Sequence, residues 1–64
     1  MNIKKGDLFE HHNRYKYMVI EIANIYSARS DYPVTITYKD LNGKVWAKTL
    51  DNFLSKMTPI KDEV

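Results

Sequence analysis

Apolar and polar residues alternate with period two along most of the chain, and β-branched and aromatic residues fill the apolar positions, a pattern of short strands. The first segment is Leu8–His12, with Leu8, Glu10 and His12 on one face. Asn13-Arg14 follows as a tight connection, because Asn accepts positive φ. The second segment, Tyr15–Tyr26, places Tyr15, Tyr17, Val19 and Glu21 on one face and Lys16, Met18, Ile20, Ile22 and Asn24 on the other. Both faces are apolar in the middle, which suits a strand packed on both sides or strongly bent. A helix is the competing reading; the tyrosines, the β-branched residues and the absence of caps favour a strand.

Ser27–Pro33 is a polar loop stopped by proline, and Val34–Lys39 is the cleanest strand, with Val34, Ile36 and Tyr38 inward. Asp40-Leu41-Asn42-Gly43 predicts a hairpin turn with Asn-Gly at its tip. The return strand, Lys44–Lys48, sets Val45 and Ala47 on one face and Lys44, Trp46 and Lys48 on the other. From Thr49 to Met57 the period changes: Leu50, Phe53, Leu54 and Met57 form one helical stripe, capped by Thr49 or Asp51. So short a helix is stable only against a sheet it covers. Pro59 is expected to end it, Ile60 to open a last short strand, and residues 61–64 to fray. These elements predict one domain over residues 1–64, mainly all-β. The expected form is a small SH3-like barrel of four to five strands with one short helical turn near the C-terminus. An α+β meander is the rival.

The order Gly6, Phe9, His11 or His12, Tyr17, Val19, Ile22-Ala23, Tyr38, Gly43, Trp46 and Phe53-Leu54 resembles a family of short bacterial and phage proteins of unknown function with an SH3-like barrel. Their pattern runs roughly G…Y-x-H-x-K-G-x-x-Y-x-V…I-A…V-x-Y…G…W-x-R-P…F, and the likeness spans about Lys5 to Met57. Asn13-Arg14 stands where that pattern has Lys-Gly, and Lys48-Thr49 where it has Arg-Pro. The resemblance implies the fold and carries no activity.

At 64 residues, a folded chain buries only about 60% of the surface its unfolded form exposes. A core this small rarely supplies more than roughly 3–5 kcal/mol of net stability. There is no cysteine, so disulfide scaffolds and thiolate metal sites are excluded. A composition 44% hydrophobic and 28% charged is that of a folded domain rather than a disordered one. No apolar run reaches the 18 or so residues of a membrane span, and no apolar segment follows Lys4-Lys5 as a signal peptide would require. The expectation is a cytoplasmic protein without membrane contact. The net charge of +2 is weak for a dedicated nucleic-acid binder, whose Lys and Arg usually cluster.

No catalytic residue, metal ligand or cofactor is expected. His11 and His12 invite a metal reading, but neighbours on a strand point to opposite faces and cannot share one ion. Ser27, Ser30 and Ser55 lack a nucleophile context, and a chain this short struggles to enclose a ligand-sized pocket. Trp46 is the main point of interest. Lying between Lys44 and Lys48, it offers the minimal chemistry of a nucleotide platform, with Arg14 and Lys16 nearby or across the fold. The simpler reading turns Trp46 into the core. Tyr15, Tyr17, Tyr32 and Pro33 are candidates to line a groove for an extended peptide, as SH3-like barrels commonly have. Val34–Lys39 is a candidate edge strand for pairing with a second copy.

The leading expectation is therefore a non-enzymatic protein-interaction module, an adaptor or phage-type inhibitor, with a protein partner or self-association. A nucleotide- or nucleic-acid-binding module is the alternative, and a small enzyme is third. The candidate binding residues are Arg14, Tyr15, Lys16, Tyr32, Lys44, Trp46 and Lys48.

Overall fold

The computed structural model describes residues 3–60; the expected frayed tail lies outside them. Five strands and one helix follow in order: β1 (Leu8–His11), β2 (Lys16–Ala23), β3 (Thr35–Lys39), β4 (Val45–Thr49), α1 (Leu50–Lys56) and β5 (Met57–Pro59). They form one antiparallel sheet of order β4-β3-β2-β1-β5. The chain is thus mainly β, with one short helix before the last strand. Among the described residues no ladder joins β4 to β5, so the sheet curls over its core without closing into the expected barrel. The helix α1 packs on β3, β4 and β5 and pushes Phe53 fully into the interior.

The two-sided apolar character of β2 comes from a bend. Val19 pairs with Tyr38 and Glu21 with Thr37, which leaves Ile20 as the extra residue of a β-bulge. A bulge shifts the alternation by one residue. Tyr17 and Val19 therefore face inward before it, and Ile22 joins the core after it. Phe9, Val19, Ile36, Tyr38, Phe53 and Met57 are the buried residues. Phe53 meets Phe9 edge-on at 4.8 Å and Tyr38 at 5.2 Å.

Several expectations are corrected. The cleanest strand is not an edge, because the Asn-Gly turn folds β4 outside it. Its flanks are taken by β2 and β4, so it has none free for a second copy. The second segment stops at Ala23, and Asn24 turns the chain with φ +64° while its Nδ2 donates to the Pro33 carbonyl at 3.0 Å. Thr49 caps α1, its hydroxyl accepting the Asn52 N–H at 3.4 Å. The helix ends one residue early, since Met57 turns extended and pairs with His11. The last strand thus precedes Ile60, whose N–H donates to the Leu8 carbonyl. Leu54 leaves the apolar stripe and is exposed.

Candidate functional site

The β3–β4 turn is built on Asp40. Its N–H donates to the Lys44 carbonyl and its carbonyl accepts from the Gly43 N–H, both at 3.0 Å. Its Oδ1 accepts from the N–H groups of Asn42 at 2.9 Å and Lys44 at 3.0 Å. Gly43 has φ +84° while Asn42 stays out of the left-handed region. The turn is therefore a three-residue loop with a left-handed Gly, not an Asn-Gly two-residue loop.

Trp46 is settled by its register. It pairs with Tyr38 and so lies on the core side of the sheet, but on the outermost strand, where the core does not reach. It is 44% exposed. Its indole N–H donates to Asp40 Oδ2 at 3.4 Å, and the Lys44 ammonium stands 5.4 Å from the ring centroid. Neither expectation anticipated this place: Trp46 faces the core side and is still accessible. Partial burial pushes the Asp40 carboxyl up, but the Lys44 N–H, the Trp46 indole, the Asn42 N–H and the Lys44 charge outweigh it. The group is held below the usual carboxylate range.

Tyr17 leans edge-on against Tyr38 at 5.1 Å, and burial together with Tyr17 pushes the Tyr38 phenol up. Tyr15, next to the β1–β2 turn, is 65% exposed. Between the two turns these side chains enclose an open groove of about 390 Å³, lined by Tyr15, Lys16, Tyr17, Asp40, Leu41, Asn42 and Trp46. A second hollow of about 310 Å³ lies beside it, lined by residues that include Leu8, Met18, Lys39, Leu41 and Ile60. Leu41, 88% exposed, belongs to both.

Of the residues singled out from sequence, Tyr15, Lys16, Tyr17 and Trp46 meet in the groove, with Lys44 against the Trp46 ring. Arg14 sits in the β1–β2 turn with φ +80°. Lys48 lies further along β4, near enough to His11 to oppose its protonation. Tyr32 lies apart from these: it belongs to the 24–34 loop, where Arg29 covers its ring at 5.5 Å, and it lines none of the hollows at the turns. Pro33 is likewise absent from the groove and lines a hollow with Thr49 and Leu50. Asp40, Leu41 and Asn42 were missed, having been read as a turn only. The signal was available: an acid that opens the turn comes back beside the sixth residue after it, Trp46.

The histidines also differ from expectation. The strand ends at His11, so alternation no longer separates the pair, and the rings lie 4.1 Å apart. Partial burial and then the neighbouring His12 hold His11 below its usual value; the Asn13 side chain opposes this, and Lys48 and Lys56 add to it. Among the described residues no three His, Asp or Glu side chains converge as a metal site. No helix among them is long and apolar enough to cross a membrane. No protein-family model, curated protein or solved structure matches the chain.

Proposed function

We propose that the chain is a non-enzymatic protein-interaction module, an adaptor or inhibitor that receives an extended, proline-containing segment of a partner in the groove between its two hairpin turns. The observation that carries this reading is the convergence of Tyr15, Tyr17 and Trp46 on one open groove. Tyr17 is propped by Tyr38, and Trp46 is held by Asp40 and Lys44. Rings fixed in advance lose little freedom on binding. Aromatic grooves suit the preformed polyproline conformation, whose rings stack on flat faces while its carbonyls meet N–H and O–H donors.

A nucleotide fits less well. Asp40 keeps its negative charge in the groove, and Lys44 covers a face of the indole that a base would need. The test is a titration of isotope-labelled protein with a proline-rich decapeptide, its alanine-for-proline counterpart, a mononucleotide and a short oligonucleotide. Saturable shifts of the Trp46 indole and the Tyr15 and Tyr17 amides are expected with the proline peptide alone, and Trp46→Ala should abolish them. The reading is overturned if the groove stays silent, or if it answers to nucleotides with steep salt dependence.

A further inference from the structure

The outermost strand carries a second feature. Hydrogen bonds just beyond the two ends of the β3–β4 ladder fix its parity: Asp40 N–H to the Lys44 carbonyl at 3.0 Å, and Leu50 N–H to the Val34 carbonyl at 2.8 Å. With Tyr38 opposite Trp46 in the same register, the even-numbered residues of this strand bond to β3. In an antiparallel ladder the residues between them point their N–H and C=O groups the other way. The backbone groups of Val45 and Ala47 therefore face outward along an edge that no other strand covers among the described residues. Lys44, Trp46 and Lys48 alternate on the core side of this edge, and neither lysine takes part in an ion pair among the described residues. Lys48 and Lys56 both stand near enough to His11 to oppose its protonation.

An edge flanked by lysines resists its own copy. Antiparallel pairing centred on Trp46 would set each Lys44 against the Lys48 of the other chain, and like charges directly opposite are destabilising. The same arrangement attracts a strand of opposite charge. Resting on the reading of the chain as a protein-interaction module, we propose that β4 is a strand-addition site for an acidic extended segment of a partner protein. In that segment carboxylates at positions i and i+4 flank an apolar residue at i+2. The segment lies antiparallel, its intervening residues exchanging hydrogen bonds with Val45 and Ala47. Its carboxylates and apolar residue then fall opposite Lys44, Trp46 and Lys48. Those are the non-hydrogen-bonded positions, where facing side chains come closest.

The probe is a synthetic nonapeptide with the core Glu-Val-Leu-Val-Glu between polar flanks. Its controls are the reordered core Val-Glu-Leu-Glu-Val and a version N-methylated on both valine amides of the original core, which leaves the protein untouched. Titration should shift the Val45 and Ala47 amides and slow their exchange with solvent. Reordering and N-methylation should each weaken binding about tenfold or more, since the first removes two charge pairs and the second two ladder bonds. The double variant Lys44→Glu, Lys48→Glu, checked for folding by far-UV circular dichroism, should lose the acidic peptide and gain a Lys-for-Glu peptide. Equal binding of the N-methylated peptide overturns strand addition. Shifts confined to Tyr15, Tyr17 and Leu41 overturn it as well, while leaving the groove reading intact. Conversely, β4 shifts beside a groove silent to proline peptides would sustain the edge and remove the groove. An oligonucleotide that competes for the Val45 and Ala47 amides also overturns the proposal.

Discussion

The two hairpin turns that frame the groove share one backbone pattern and differ in how each is made tolerable. In the β1–β2 turn, His11 N–H donates to the Tyr15 carbonyl and Arg14 N–H to the His11 carbonyl, both at 2.8 Å. The β3–β4 turn repeats this with Asp40, Lys44 and Gly43 in the corresponding places. Asn13 and Asn42 also correspond. At the left-handed position, however, one turn has Gly43 and the other Arg14, with φ +84° and +80°. A side chain there costs about 1–2 kcal/mol because its Cβ crowds the following carbonyl. The β1–β2 turn compensates with side-chain bonds: Asn13 N–H donates to His11 Nδ1 at 3.1 Å, and Asn13 Oδ1 accepts the Tyr15 N–H at 3.0 Å. One turn is relaxed by its glycine and fastened by a carboxylate. The other is strained and fastened by an imidazole.

The largest effect expected from disturbing this contrast is at Gly43. A Cβ there would meet no atom within 4 Å, so the cost is backbone strain alone. For the β-branched Gly43→Val it should be about 2 kcal/mol, read as a lower urea midpoint with unchanged slope. An unaltered midpoint would mean that the two turns do not share this conformation. Arg14→Gly is the converse and should stabilise by roughly 0.5–1 kcal/mol, relief of strain offset by the freedom glycine gains when unfolded. Destabilisation by Arg14→Gly would show that the Arg14 side chain does more for the fold than its backbone costs.

The smallest effect separates the turns by pH. His11 titrates below its usual value when folded, so the unfolded chain takes up this proton first. Stability should fall as pH drops below about 6.5 and level off under the folded value. Asp40 is also lowered. Its contribution is complete above about pH 4 and is lost as pH falls through its folded value. In a pH series of urea midpoints, His11→Gln should flatten the upper step and Asp40→Asn the lower. If either variant reproduces the wild-type curve, the fastening role of that side chain fails.

Much of the fold was legible because local signals agreed with one another. Val34–Lys39 alternated cleanly, Asp40–Gly43 marked its turn, and Thr49 announced the change to helical period. The boundary at Met57 was not legible, since a residue can close a helical stripe and begin a strand while burying the same side chain. The bulge at Ile20 was legible only as a contradiction, apolar residues on both faces of β2, because a phase shift has no residue type of its own. In the groove, Tyr15, Lys16 and Trp46 could be named from chemistry. Period two assigns a side chain to a face, though not its distance from the centre of the sheet, so the place of Trp46 at the rim was hidden. The place of Tyr32 away from the groove was hidden for a related reason: a long loop carries no register with which to aim it.

The pairing of β1 with β5 has a consequence for how the molecule is made. Phe9 lies opposite Pro59, and His11 opposite Met57, so the first strand waits for the last before its outer edge is satisfied. A chain emerging from the ribosome can assemble β1 to β4 as a meander of neighbours. It cannot cover that edge, or seat Met57 in the core, until the end of β5 is free of the exit tunnel. Contacts so distant in sequence form late and slowly. The β1 edge is therefore exposed to other strands until β5 docks on it.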